Sequence, residues 1–195
     1  MSYIVAELQK VLKIIRRRKM KKILMIVLAV LFVSAVMATR AENQDKIVKE
    51  LMPATDLKPQ VYSLTAADIA SVQKVLDSDK PVRDTYQIYV TGKEAVVVEE
   101  QMGKWGIIYM AILINTETKK AVDIGFIDMV EKRGVKVKEG YFKNQFKDKS
   151  LTDACKVGED IKGISGATIS SKAVCVAVKR ALMIYDLFSK NPKKK

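Results

Sequence analysis

The residues best suited to chemistry lie together in one stretch, Asp160-Ile-Lys-Gly-Ile-Ser-Gly-Ala-Thr-Ile-Ser-Ser171. Behind it a helix is predicted over 170–188, because Val174, Val178, Ala181, Leu182 and Tyr185 recur every three to four residues and define one buried face. The turn Ser165-Gly166-Ala167-Thr168 therefore opens onto a helix N-terminus, where backbone N–H groups without helical partners and the positive end of the dipole point outward. Such a place can hold a phosphate or a phosphodiester. Gly166 and Ala167 leave room for a bulky group against the backbone, and the hydroxyls of Ser165, Thr168, Ser170 and Ser171 are the only side-chain functions in the turn. A plain Ser/Thr-capped helix uses the same residue types, and on local physics alone that simpler role stands first.

What is missing narrows the chemistry further. The 195 residues contain no histidine, which excludes Ser-His and Cys-His triads, His-ligated zinc and His-ligated haem together. Cys155 and Cys175 are too far apart for a CxxC motif and too few for a thiolate metal cage, so no metal site is expected. Two reduced, packed thiols are the preferred reading and one disulfide is the alternative. With only 9 Gly and 4 Pro, the chain is neither collagen-like nor mainly disordered, and its length suits one full domain.

The elements that must position the turn can be read from periodicity. Ile47, Val48, Leu51 and Met52 predict a helix over 41–52 that Pro53 ends, and Ile69, Val72, Val75 and Leu76 predict another over 65–76, capped by Ser63 or Thr65. The period then changes. Runs rich in Val, Ile and Tyr predict strands over 85–90, 95–98, 105–114 and 121–129, with turns at Gly92-Lys93, Gly103-Lys104 and Asn115 to Lys120. Consecutive strands joined by hairpin-length links imply an antiparallel meander flanked by helices, an α+β fold, with no βαβ alternation.

The net charge of +13 is unevenly spread. Residues 1–22 hold eight Lys and Arg against Glu7, a local +7, and the tail adds Lys190, Lys193, Lys194 and Lys195. The remainder is near neutral, at +2, so no polyanion face and no nucleic-acid partner is expected. Directly after the basic block, Ile23 to Ala38 runs sixteen residues without a charge, close to the lower limit of about 17 for a spanning helix. One N-terminal transmembrane or signal helix therefore precedes the fold. A retained single-pass anchor is the preferred reading, with the basic flank cytoplasmic on an anionic lipid surface and residues 40–195 outside. The alternative is a signal peptide, for which MKKILMIVLAVLFVSAVMA from Met20 is complete, cleaved after Ala38 with Val36 at the upstream small-apolar position. No cysteine directly follows the apolar run, which excludes a lipoprotein anchor. The expected organisation is a basic cytoplasmic segment (1–22), an anchor or signal (23–39), a helical connector (40–80), the principal domain (81–188) and a basic tail (189–195).

DIKGISGATISSKAV resembles the flavinylation motif of the FMN-binding domain found in RnfG and NqrC, subunits of ion-translocating electron-transport complexes, and in stand-alone exported flavoproteins. Asp160, Ser165, Gly166, Ala167 and Thr168 match the family pattern of an Asp, a spacer and Ser/Thr-Gly-Ala-Thr. More weakly, Gly103 to Ile114 resembles the family's central strand and Phe142 to Ser150 its stretch before the motif, so the likeness covers about residues 85–185. The resemblance implies FMN bound through its phosphate to Thr168 by a flavin transferase acting outside the cytoplasm. It also implies contacts from Ser165, Gly166, Ala167, Ile169 and Ser170, and a role for Asp160 as a transferase determinant or metal-assisted contact. Near the flavin the complex subunits carry a Glu-Thr-Pro-Gly-type loop. Glu131 and Gly134 fit that pattern, whereas Lys132 and Arg133 replace its Thr and Pro, which resembles the stand-alone branch. A cation there would favour the reduced, anionic flavin and raise its potential; a solvated turn is the alternative. Trp105 and Tyr109 are candidates to stack on the ring, or else core aromatics.

The function expected is electron relay between membrane redox partners, of Rnf or Nqr type, by an extracytoplasmic flavoprotein with no acid–base pair of its own. Two alternatives have other signatures. A membrane-anchored scaffold would carry no flavin, and a small FMN-dependent reductase would be reoxidised by one specific substrate.

Overall fold

Five strands in consecutive order, β1 (Gln60–Ser63), β2 (Thr85–Thr91), β3 (Glu94–Met102), β4 (Ile107–Asn115) and β5 (Ala121–Met129), form one antiparallel sheet in the computed structural model. It describes residues 2–76 and 81–192, with side chains from residue 20 onward. Lys193 to Lys195 of the basic tail, residues 77–80 of the connector and the side chains of most of the basic N-terminal block fall outside the described residues. The chain forms two units, Met1–Glu42 and Asn43–Lys195.

The first unit belongs to a single helix, α1 (Ser2–Leu51), of which Met20–Leu51 is long and apolar enough to cross a membrane. Ile23 to Val33 expose nearly every large apolar side chain, including Phe32 at 71%, which an aqueous surface does not favour and a bilayer does.

In the second unit the sheet is the organising layer. Alternation along β3 sends Ala95 and Val97 to one face and Val96 and Val98 to the other, and along β4 Ile108, Met110, Ile112 and Ile114 oppose Ala111 and Leu113. Both faces are buried. The larger core receives α2 (Ala66–Leu76) and α4 (Thr168–Lys190); the smaller is closed by Val48 and Met52, with Tyr89 and Ile127. Gly125 is the point of closest approach there, since a Cβ would collide with Ile47. Two bulges, between Tyr109 and Met110 and between Leu113 and Ile114, adjust the β4–β5 register and turn Ile127 to the smaller core.

The strand expected over 95–98 extends to Glu94–Met102, the helix expected over 41–52 is the end of α1, and three further departures concern the surroundings of the site. The stretch expected to be a helical connector also contributes β1, too short and too exposed for alternation to reveal it. Trp105 precedes β4, at the turn where the Gly103 N–H bonds the Gly106 carbonyl at 2.8 Å. Two 3-10 turns (Gly134–Lys138 and Asn144–Phe146) and the one-turn helix α3 (Gly140–Lys143) link β5 towards α4, bringing Val137, Phe142 and Phe146 into the core. The cap of α2 follows expectation: Thr65 Oγ1 accepts the Asp68 N–H at 3.2 Å, while Asp68 accepts the Thr65 N–H at 2.9 Å.

α4 is locked to the sheet by a buried ion pair. Arg180 lies on its buried stripe and donates from Nε and Nη2 to Glu99 Oε2 at 3.0 and 2.6 Å, from Nη1 to Gln101 and from Nη2 to the Glu100 carbonyl. Glu99 and Gln101 point to α4 because they continue the alternation of Ala95 and Val97. Tyr86 lies close by; burial first and the Glu99 charge second push its phenol up to about 12. Removing Arg180 leaves the fully buried Glu99 with only the longer contact to Arg83, at 3.7 Å. Arg180→Ala is therefore expected to cost about 3–5 kcal/mol of stability, and the double change Arg180→Leu with Glu99→Leu to recover most of it. Urea unfolding followed by circular dichroism checks both; a loss under about 1 kcal/mol for Arg180→Ala would mean that the pair is solvated.

Candidate functional site

Gly166 has φ +75°, a left-handed conformation that an L side chain rarely adopts, and it turns the chain sharply into α4. Ala167 occupies the cap position with no side-chain hydrogen bond to the helix start. A hydroxyl one turn into the helix is spent on the turn itself: Ser171 Oγ accepts the Ile164 N–H at 3.1 Å and donates to the Ala167 carbonyl at 3.0 Å, fully buried. The first backbone bond of the helix runs from Ser171 N–H to Ala167 at 2.9 Å. Helix geometry leaves the amides of Thr168, Ile169 and Ser170 without intrahelical acceptors, and Ala167 offers them no side-chain cap. The Ser/Thr-capped helix is thus not what forms. Thr168 and Ile169 are exposed.

The opposite wall is built by Glu131. Its Oε1 accepts the N–H groups of Lys104 and Trp105 at 2.8 and 3.1 Å, and its Oε2 accepts the Ser170 hydroxyl at 2.9 Å. One carboxylate therefore ties the β3–β4 turn, the end of β5 and the start of α4 together. Two glycines make room for it: a Cβ at Gly103 would collide with Glu131 Oε1, and one at Gly134 with the Ser170 hydroxyl. That accounts physically for the Glu131 and Gly134 pair noted in the sequence.

Between the walls is a cleft of about 610 Å³, within the usual range of about 300–1,000 Å³ for small-molecule sites. Gly166, Ala167, Thr168, Ile169 and Ser170 line one side; Lys104, Trp105, Glu131, Lys132, Arg133 and Gly134 line the other. Trp105 is 57% exposed, with Lys132 Nζ 5.2 Å and Lys104 Nζ 5.7 Å from its ring centroid. An aromatic wall, three cations and an uncapped helix end beside a free-standing threonine hydroxyl suit a flat, apolar ring carrying a phosphate. The residues present fit FMN.

Of the residues singled out in the sequence, the cleft gathers Gly166, Ala167, Thr168, Ile169, Ser170, Glu131, Lys132, Arg133 and Trp105. Ser165 is exposed in the turn but does not line it. Tyr109 packs against the smaller core on the other face of the sheet. Asp160 stands outside the cleft and ties a loop: it accepts the N–H groups of Lys156 and Cys155 at 2.7 and 3.0 Å and meets Lys149 at 2.9 Å. Burial works against its charge, yet the Lys149 contact and the two amides outweigh it and hold the carboxyl below its ordinary value. Lys104 escaped the sequence reading, although Gly103 and Gly106 bracket it and mark its turn. Cys155 and Cys175 are free and buried beside a separate cavity of about 290 Å³, their thiols pushed up to about 11 and about 12, in each case chiefly by burial. Among the described residues no cluster of three metal-ligating side chains occurs.

Comparison with known proteins agrees with this geometry. No curated protein is a significant match to the chain. Solved structures that share its fold include two from ion-translocating or Nqr proteins. A subunit of the Na(+)-translocating NADH-quinone reductase from Parabacteroides distasonis ATCC 8503 is 18% identical, with 78% of this chain and 94% of that one covered and a TM-score of 0.50. NqrC from Shewanella oneidensis is 14% identical, with 80% and 100% covered and a TM-score of 0.54. At those identities the likeness is one of fold. The model of the FMN-binding domain matches residues 103–183, a span that contains both walls of the cleft. Residues 103–183 are thus similar to an FMN-binding domain, with FMN as the cofactor that domain indicates.

Proposed function

We propose that the protein is a membrane-anchored, extracytoplasmic electron carrier whose FMN is esterified through its phosphate to Thr168. The observation that carries this is the uncapped start of α4, with Thr168 exposed in its first turn and facing the cleft. A threonine hydroxyl engaged as a cap would be a poor nucleophile and would block the amides; here both are open. In the attachment step Thr168 Oγ forms a new bond to the flavin phosphorus, the anhydride bond of an activated flavin donor breaks with its other phosphate departing as the leaving group, and the hydroxyl proton passes to a base. A flavin transferase supplies that donor and the base. Asp160 serves as a determinant for the transferase by shaping the loop that leads to the turn. Esterification suits a domain outside the membrane, where freely dissociating FMN would be lost by diffusion.

Once bound, FMN supplies reversible electron transfer. The chain's own part is positional: Trp105 and Ile169 offer apolar surface to the ring, Glu131 holds the two walls in register, and Lys132 sets a positive charge on the aromatic side. Membrane redox partners of Rnf or Nqr type fit a carrier of this fold, since one solved structure is a subunit of a Na(+)-translocating NADH-quinone reductase and the other is an NqrC. The apolar helix over Met20–Leu51, with Lys and Arg on its N-terminal flank, supports a single-pass anchor with the N-terminus cytoplasmic.

Intact mass of protein purified from its own membranes under denaturing conditions tests the attachment. The expected increment is one FMN less one water, on a peptide containing Thr168, and the same spectrum reports the N-terminus. Thr168→Val should remove the increment entirely; a yellow, denaturation-resistant Thr168→Val protein would overturn the assignment. Lys132→Ala should lower the midpoint potential of the bound flavin by about 20 mV, the two-electron equivalent of about 1 kcal/mol for an exposed charge. An unchanged potential in a redox titration would show that Lys132 is only solvated.

A further inference from the structure

We infer that Arg133 is the counter-ion of the phosphate presented at Thr168, so that the adjacent cations Lys132 and Arg133 serve opposite ends of the cofactor. This rests on the flavoprotein reading above and assigns a residue that the family pattern, with Pro at this place, does not supply. The two side chains diverge. Lys132 Nζ is directed to the Trp105 ring, 5.2 Å from its centroid, whereas Arg133 lies over the turn, its Cδ 3.9 Å from where a Cβ on Gly166 would stand. Gly166 precedes Thr168 by two residues, and Arg133 and Thr168 line the same cleft.

No described residue competes for this guanidinium. Among the described residues Arg133 makes no ion pair, and the carboxylate two residues earlier in the same loop, Glu131, has both oxygens engaged by the Lys104 and Trp105 amides and the Ser170 hydroxyl. A phosphodiester on Thr168 would carry one negative charge over two non-bridging oxygens. The α4 amides can take one face of that group, and the planar fork of an arginine fits the other with two parallel hydrogen bonds. Lysine would offer a point charge without that geometry. The consequence is selectivity before any bond forms: the cleft holds a phosphorylated flavin in register with the Thr168 hydroxyl and discriminates against riboflavin.

The test uses the full chain carrying Thr168→Val, which cannot be esterified, titrated with FMN and with riboflavin. Trp105 is the single tryptophan, and because it lines the cleft its fluorescence reports binding directly. Thr168→Val protein should bind FMN about tenfold or more tightly than riboflavin, an advantage that fades with added salt. Adding Arg133→Ala should bring the two affinities to within about threefold by weakening FMN alone, and Arg133→Lys should restore part of the difference. An FMN-to-riboflavin ratio unmoved by Arg133→Ala overturns the inference. If Thr168→Val protein binds neither flavin, the esterified protein decides: its phosphorus NMR resonance should shift between wild type and Arg133→Ala, and identical resonances overturn the assignment. A wild-type chain without covalent flavin sinks the attachment reading instead, while the titration still judges Arg133; no flavin in either experiment removes both.

Discussion

The cleft exists because one carboxylate cannot be released without opening it. Glu131 has three donors from two separate elements, two backbone N–H groups in the β3–β4 turn and a hydroxyl in the first turn of α4. Hydrogen bonds to a charged acceptor are worth more than neutral ones, and a carboxylate with three is anchored rather than merely solvated. Its neighbours are chosen by this: Gly103 and Gly134 are places where any side chain would displace it. Lys132 and Arg133 then follow directly on a pinned residue, and both line the cleft.

A pinned rim needs a pinned helix behind it. α4 supplies the catchment of open amides, and its orientation is set near its middle by Arg180 against Glu99 and Gln101, beneath a stripe of Val174, Ala177, Val178 and Ala181. The apolar stripe alone would tolerate small slips along the sheet, because dispersion contacts are non-directional. A guanidinium with fixed donors meeting a carboxylate in the core tolerates none. Such a pair adds little net stability over a hydrophobic substitute, so its value here is registration of the helix end against the Glu131 loop.

Much of this was legible in the sequence. Alternation and β-branched runs marked β2, β4 and β5, helical spacing marked α2 and α4, and the small-residue turn marked the cleft's floor. What escaped had weak or non-local signals. β1 is four residues with one buried side chain, Tyr62, and is defined by pairing with β2 rather than by its own pattern. Trp105 belongs by composition to the strand that follows, yet the bond from Gly103 to Gly106 closes a turn around it and leaves the ring exposed. Arg180 sits at helical spacing from Ala177, Ala173 and Ile184, so its burial could be suspected; its partner, 81 positions earlier, could not. Asp160 shows the reverse case, a residue prominent in a motif whose carboxylate is occupied in holding a loop outside the cleft.

The helix start itself is the clearest compromise between stability and use. Serine, threonine, aspartate or asparagine at the position of Ala167 would stabilise α4 by about 0.5–2 kcal/mol. The two serines of the first turn are directed elsewhere, Ser170 to Glu131 and Ser171 to the backbone of the turn. The effect is to leave the amides open while still fixing the turn that presents them. A side-chain cap would satisfy the same donors that an incoming phosphate needs, so helix stability and anion binding at this end draw on one set of N–H groups. Under the esterified reading the conflict is resolved by time rather than by sequence: the phosphate arrives after folding and becomes the cap that α4 lacks.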